Sequence, residues 1–140
     1  MPCKKQQTPA FSGGLGDMAN CPTDGGIYVL LARLEQPLTI TRPRLAELEP
    51  GLYVYVGSAY GPGGLRSRLA RHLRPNKPLR WHIDQITTRA ETKYAIGWTD
   101  GKECELQAAL AAGGNITYPL PVFGSSDCRS CPSHLLRIIL

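Results

Sequence analysis

Apolar residues first gather at Ile27-Tyr28-Val29-Leu30-Leu31-Ala32. The run is too short for an ordinary helix, rich in β-formers and bounded by Gly25-Gly26, which predicts a strand. Pro37 separates it from a second expected strand, Leu38-Thr39-Ile40-Thr41, and Arg44-Leu45-Ala46-Glu47-Leu48 reads as a helical turn before the turn signal Pro50-Gly51. Leu52-Tyr53-Val54-Tyr55-Val56 then alternates cleanly and stops at Gly57. Period two places Tyr53, Tyr55 and Gly57 on one face of that strand, and Leu52, Val54 and Val56 on the other. After the loop Gly61-Pro62-Gly63-Gly64 the period becomes helical: Leu65, Leu69 and Leu73 fall within an arc of about 80°. Pro75 and Pro78 prevent that helix from continuing. A short helix is expected over Trp81–Ile86, a strand over Lys93–Trp98 and a helix over Lys102–Ala112, closed by Gly113-Gly114. Residues 1–24 show no period and carry Gly13, Gly14, Gly16 and Pro22, so they are expected to form a flexible tail, with Met18 an alternative start to Met1.

These elements predict one α/β (α+β) domain over residues 25–140, a small antiparallel sheet of three to four strands flanked by helices. The 140 residues suit a single domain. No apolar run approaches the roughly 18 residues of a membrane helix, and the N-terminus lacks a signal peptide's apolar core, so a cytoplasmic protein is expected. In that reducing compartment the five cysteines do not predict a disulfide framework.

Charge changes the picture. Sixteen Lys and Arg against eleven Asp and Glu give +5. The excess lies in one segment, Gly57–Ile83, which holds Arg66, Arg68, Arg71, Arg74, Lys77 and Arg80 and no acid before Asp84. A local positive block suggests an anionic partner. Helical geometry puts Arg68 and His72 one turn apart at the rim of the buried stripe, Arg66 at its other edge, and Arg71 and Arg74 further out. On the later helix Leu106 and Leu110 define the buried stripe, Glu103 lies beside it and Glu105 points away.

Gly26-Ile27-Tyr28, followed by Tyr55-Val56-Gly57-Ser58-Ala59 and a helix with Arg68-x-x-x-His72, resembles the paired motif of the GIY-YIG nuclease superfamily. Arg71-His72-Leu73-Arg74, Arg80-Trp81-His82-Ile83-Asp84, Glu103-Cys104 and Phe123-Gly124-Ser125-Ser126-Asp127-Cys128 make it similar to the DUF123 branch, a prokaryotic group sometimes fused to an endonuclease III-type repair enzyme. The resemblance implies a GIY-YIG-like fold and a metal-dependent endonuclease that hydrolyses phosphodiester bonds in DNA, with RNA as an alternative polymer, in DNA repair. It implies one divalent cation, Mg²⁺ or Mn²⁺, bound by Glu103. Tyr28 and Tyr55 would line the cleft, Tyr28 helping to deprotonate the attacking water. Arg68 would hold the scissile phosphate, and His72 and His82 would supply a hydrogen bond or the leaving-group proton. Arg66, Arg71, Arg74, Lys77 and Arg80 are the expected nucleic-acid-binding set, and an endonuclease III-type repair protein is the implied partner. The competing reading is a catalytically silent nucleic-acid-binding module with the same fold.

Cys128-x-x-Cys131-x-x-His134 has a spacing able to bind zinc, with Cys104 or Asp127 as a fourth ligand. A full structural site usually shows two such pairs, so compactly placed thiols are the alternative, and a zinc-stabilised interaction domain is a third functional class. Cys3 and Cys21 are expected to have no structural part.

Overall fold

The computed structural model describes residues 8–120, 123 and 133–139. Among them the chain runs through β1 (Phe11–Gly13), a 3-10 turn (Leu15–Asn20), β2 (Ile27–Leu34), β3 (Leu38–Ile40), β4 (Ala46–Leu48), β5 (Gly51–Ser58) and α1 (Gly64–Leu73). It continues through α2 (Asp84–Thr87), β6 (Thr92–Trp98), α3 (Glu103–Ala112), β7 (Ile116–Thr117) and β8 (Leu135–Ile138). Six strands form one antiparallel sheet in the order β1-β6-β2-β5-β8-β7, and β3 pairs only with β4. No helix among these residues is long and apolar enough to cross a membrane.

β2 reads as a nearly continuous apolar run because both its faces are covered. Tyr28, Leu30, Ala32 and Leu34 join Leu65, Leu69 and Leu73 of α1 and Ile83 and Ile86 around α2 in the larger core. Val29 and Leu31 meet Val54 and Val56 of β5 and Leu106 and Leu110 of α3 in the smaller one. The alternation expected for β5 therefore holds, with the tyrosines towards α1 and the valines towards α3.

The sheet is larger than the three to four strands expected. β7 and β1 have only two and three residues, so neither carries a readable period, and both join through backbone pairing to a neighbouring strand. Residues 8–24 are correspondingly not a tail. Phe11 and Cys21 are buried in the larger core, and the backbone N–H groups of Leu65 and Arg66 donate to the carbonyls of Asp24 (2.9 Å) and Pro22 (3.0 Å). The first N–H groups of any helix lack partners within it, and here the preceding segment supplies them. Arg44–Leu48, expected as a helical turn, holds strand β4 instead. Ala46 and Leu48 sit two apart on one face, and Ile40 on β3 pairs with Ala46.

Candidate active site

The site is built where β2, β5, α1 and α3 meet. Tyr28 on β2 lies directly across from Gly57 on β5 and Gly97 on β6. A Cβ at position 57 would fall on the Tyr28 hydroxyl and ring, so only glycine lets the phenol lie over β5. The ring is 2% exposed, and its oxygen is 2.8 Å from Nε2 of His72 on α1. Tyr55 presents its ring edge to His72 with centroids 6.4 Å apart. Arg68, one turn before His72, donates from Nη1 to the Ser58 carbonyl at 3.0 Å, and its guanidinium lies 4.8 Å from the centre of the Trp81 ring.

Glu103 enters from the first turn of α3, where the helix dipole favours an acid. Its Oε2 lies 3.0 Å from Nδ1 of buried His134. Tyr28, Tyr55, Arg68, His72 and Glu103 line one cleft of about 140 Å³, together with Ser58 and Trp81. His82 is not among its lining residues; its ring packs against Phe123 at 5.4 Å. Trp81 forms the wall instead, a part that the Arg80-Trp81-His82 string did not distinguish from its neighbours.

Electrostatics fix the protonation of the cleft. Burial, reinforced by Tyr55, pushes the Tyr28 phenol well above its usual value, and the Arg68 guanidinium only partly offsets this. Burial and then Glu103 do the same to Tyr55. His72 is driven down to about 3 by burial and by Lys77, Arg68 and Arg71, so it is neutral at pH 7. Glu103 is held below the ordinary carboxylate range, first by His134 and then by Ser58 and Arg68, against burial. His72 Nδ1 has no hydrogen-bond partner among the described residues. An orphaned buried N–H is rarer than a bare acceptor, which assigns the proton to Nε2. That N–H then donates to the Tyr28 oxygen.

A pH effect follows. His72 takes up its proton near 6.5 when unfolded and near 3 when folded, so the unfolded chain binds more protons between those values. The stabilisation is fully present above pH 6.5 and is lost as pH falls towards 3. Urea unfolding of wild type should weaken by about 1.2 kcal/mol from this group between pH 6 and 5. His72→Gln should show a distinctly shallower dependence there; identical slopes would refute the assignment.

The family model for "Domain of unknown function DUF123" matches residues 27–139. The chain belongs to the DUF123 family. No curated protein and no solved structure matches it. The DUF123 match contains every residue of the cleft, while β1 and the 3-10 turn precede it.

Within this DUF123 chain several expected nucleic-acid contacts have intramolecular work. Arg66 donates to the carbonyls of Cys21 (2.7 Å) and Ala19 (3.3 Å), tying the 3-10 turn to α1. Cys21 thus has the structural part it was not expected to have. Arg71 forms a two-pronged pair with buried Asp84, both contacts 2.9 Å, and lies 4.4 Å from the Trp81 ring centre. Lys77 Nζ donates to the carbonyls of Arg71 and His72, closing the C-terminal end of α1. Arg74 and Arg80 are exposed, and among the described residues no hydrogen bond or ion pair holds their side-chain charges.

Cys128, Cys131 and Asp127 lie outside the described residues. Cys104 is disulfide-bonded, although reduced thiols were expected, and in that state its sulfur has no thiolate to offer zinc. His134, the remaining member of the expected zinc set, faces Glu103. Among the described residues no group of three or more His, Cys, Asp or Glu side chains is arranged to hold a metal alone. A magnesium-type ion needs no such cage, because it commonly uses one or two carboxylates with water and substrate phosphate. Glu103, ionised and on the cleft wall, fits that requirement.

Proposed function

We propose that this cleft hydrolyses phosphodiester bonds in nucleic acid, with DNA as the favoured polymer, as a GIY-YIG-type endonuclease using Mg²⁺ or Mn²⁺ and serving DNA repair. The observation that carries the reading is the convergence of Tyr28, Tyr55, Arg68, His72 and Glu103 on one small cleft.

Arg68 spends one N–H on Ser58, which leaves further donors of its planar fork for a phosphate. Guanidinium donors aimed at oxygens that gain charge contribute most in a secluded site. Glu103 would hold the cation, which when bound supplies Lewis-acid stabilisation of phosphoryl oxygens and a lowered water pKa. Tyr28, accepting from His72 Nε2, keeps its own O–H and a lone pair to orient the attacking water. Tyr55 remains a neutral donor for a phosphate oxygen. His82, outside the cleft lining, is given no step.

One observation favours the second reading, a silent binding module. Both phenols are pushed up and His72 is pushed down, so none of these three groups titrates near pH 7 in the ligand-free cleft.

The readings separate on plasmid, branched and single-stranded DNA with and without Mg²⁺ or Mn²⁺. Metal-dependent cleavage by wild type is expected. Arg68→Ala and Glu103→Gln should each cut at least about 100-fold more slowly, with melting midpoints close to wild type. A wild type that cuts nothing, or variants that cut as well, would sink the nuclease and leave the binding module.

A further inference from the structure

The β3–β4 hairpin lies outside the main sheet, and its stem and tip differ in kind. Ile40 and Leu48 of the stem are buried in the larger core. Arg42, Pro43, Arg44 and Leu45 at the tip are all exposed, with Leu45 at 74%.

The tip is nonetheless fixed in place. Gln85 of α2, itself buried, accepts at Oε1 from the backbone N–H groups of Thr41 (2.8 Å) and Arg42 (3.2 Å). Its Nε2 donates to the Arg42 carbonyl (2.8 Å) and to that of His82 (3.0 Å). The Arg42 guanidinium donates to the Leu79 carbonyl at 3.1 Å. These bonds hold the tip against Leu79-Arg80, immediately before the Trp81 that walls the cleft. Leu79 is 54% exposed, Arg80 is exposed, and among the described residues no ion pair occupies Arg42, Arg44 or Arg80.

We propose that the hairpin tip, with Arg80, is a second nucleic-acid-binding surface that grips the phosphate backbone beside the cleft. It rests on the reading of the cleft as directed at nucleic acid. Arg42 and Arg44, in a stretch from Thr41 to Ala46 that holds no acid, together with Arg80, complement a polyanion. The bonds to the tip backbone at Thr41 and Arg42, and from the Arg42 guanidinium to Leu79, fix the tip beforehand and reduce the ordering cost of binding. The two exposed leucines among these arginines suit sugar and base faces, as apolar side chains do in proteins that enter a groove. The surface also replaces what Arg66, Arg71 and Lys77 give up to intramolecular bonds.

Fluorescence anisotropy with a labelled DNA duplex in EDTA, titrated over a range of salt, reads binding without cleavage. Wild type should bind with a steep salt dependence. The double variant Arg42→Gln/Arg44→Gln should flatten the slope of log K against log salt by about 0.9 for each phosphate that it no longer neutralises. Arg44→Gln alone, which removes no intramolecular bond, should account for one such step. Arg33→Gln, an equal charge change at the far end of β2, should keep the wild-type slope. Thermal midpoints within a few degrees of wild type confirm folding. An unchanged slope in the double variant overturns the proposal, as does equal flattening by Arg33→Gln. Loss of binding to phosphatidylserine vesicles, with DNA binding unaffected, also overturns it in favour of a membrane surface. A wild type that binds DNA through these arginines but cuts nothing supports the surface while refuting the nuclease.

Discussion

Asp84→Ala is expected to destabilise the protein by about 3–5 kcal/mol, a loss typical of breaking a buried ion pair from one side. The carboxylate is wholly inaccessible and satisfies four donors. Oδ1 takes Arg71 Nη1, while Oδ2 takes Arg71 Nη2 and the backbone N–H groups of Arg80 and Trp81. Removing it leaves a largely buried guanidinium and two amides without their acceptor. Arg71→Ala should cost less, because the two backbone amides keep their carboxylate, and the double variant should fall well short of the sum. Urea unfolding at pH 7 measures all three, and a cost below about 1 kcal/mol for Asp84→Ala would show that the pair is not structural. The pair also has an acid limb. Burial raises the Asp84 pKa, but the bonds from Arg71, Trp81 and Arg80 overcome it and hold the value below normal. That stabilisation is present above the unfolded carboxyl's pKa and is lost as pH falls through the lowered folded value. Acid unfolding from this group therefore lies below about pH 4, at the acid end of the window in which the His72 stabilisation is lost.

Gly57→Ala is the second large effect, about 3 kcal/mol. The new methyl would meet the Tyr28 hydroxyl and ring inside a full core, where overpacking costs about 1–3 kcal/mol. Moving the phenol also strains its 2.8 Å bond to His72, worth about 1 kcal/mol more. The signature is context: in a Tyr28→Leu background the same alanine should cost under about 1 kcal/mol, because the clashing ring is gone. Equal cost in both backgrounds would mean that the backbone, not the ring, demands glycine.

Much of this architecture was legible because it rests on local periodicity. Leu65, Leu69 and Leu73 fix the buried face of α1, and that face dictates that Arg68 and His72 emerge together at its edge. The alternation of β5 likewise separates tyrosines from valines. Legibility fails where long-range pairing decides. β1 is three residues held by its neighbour, and the segment after it is ordered because α1 needs carbonyls at its first turn. Charge was legible as a total and a segment, but not as a set of free hands. Spacing cannot reveal that Arg71 faces Asp84 or that Lys77 turns back to close α1. Trp81 and His82 are adjacent in sequence, and only packing decides that the indole walls the cleft while the imidazole meets Phe123.

The glycines opposite Tyr28 have a bearing on how the sheet finds its alignment. A slip of one residue between β2 and β5 would exchange the faces of one strand relative to the other. Tyr28 would lose the vacant position over Gly57 and stand across from the side chain of Val56 or Ser58. The tyrosines would no longer share a side with Arg68 and His72. The gap left by a missing side chain thus works as a registration mark: the misaligned sheet is refused by steric conflict before any chemistry could be lost.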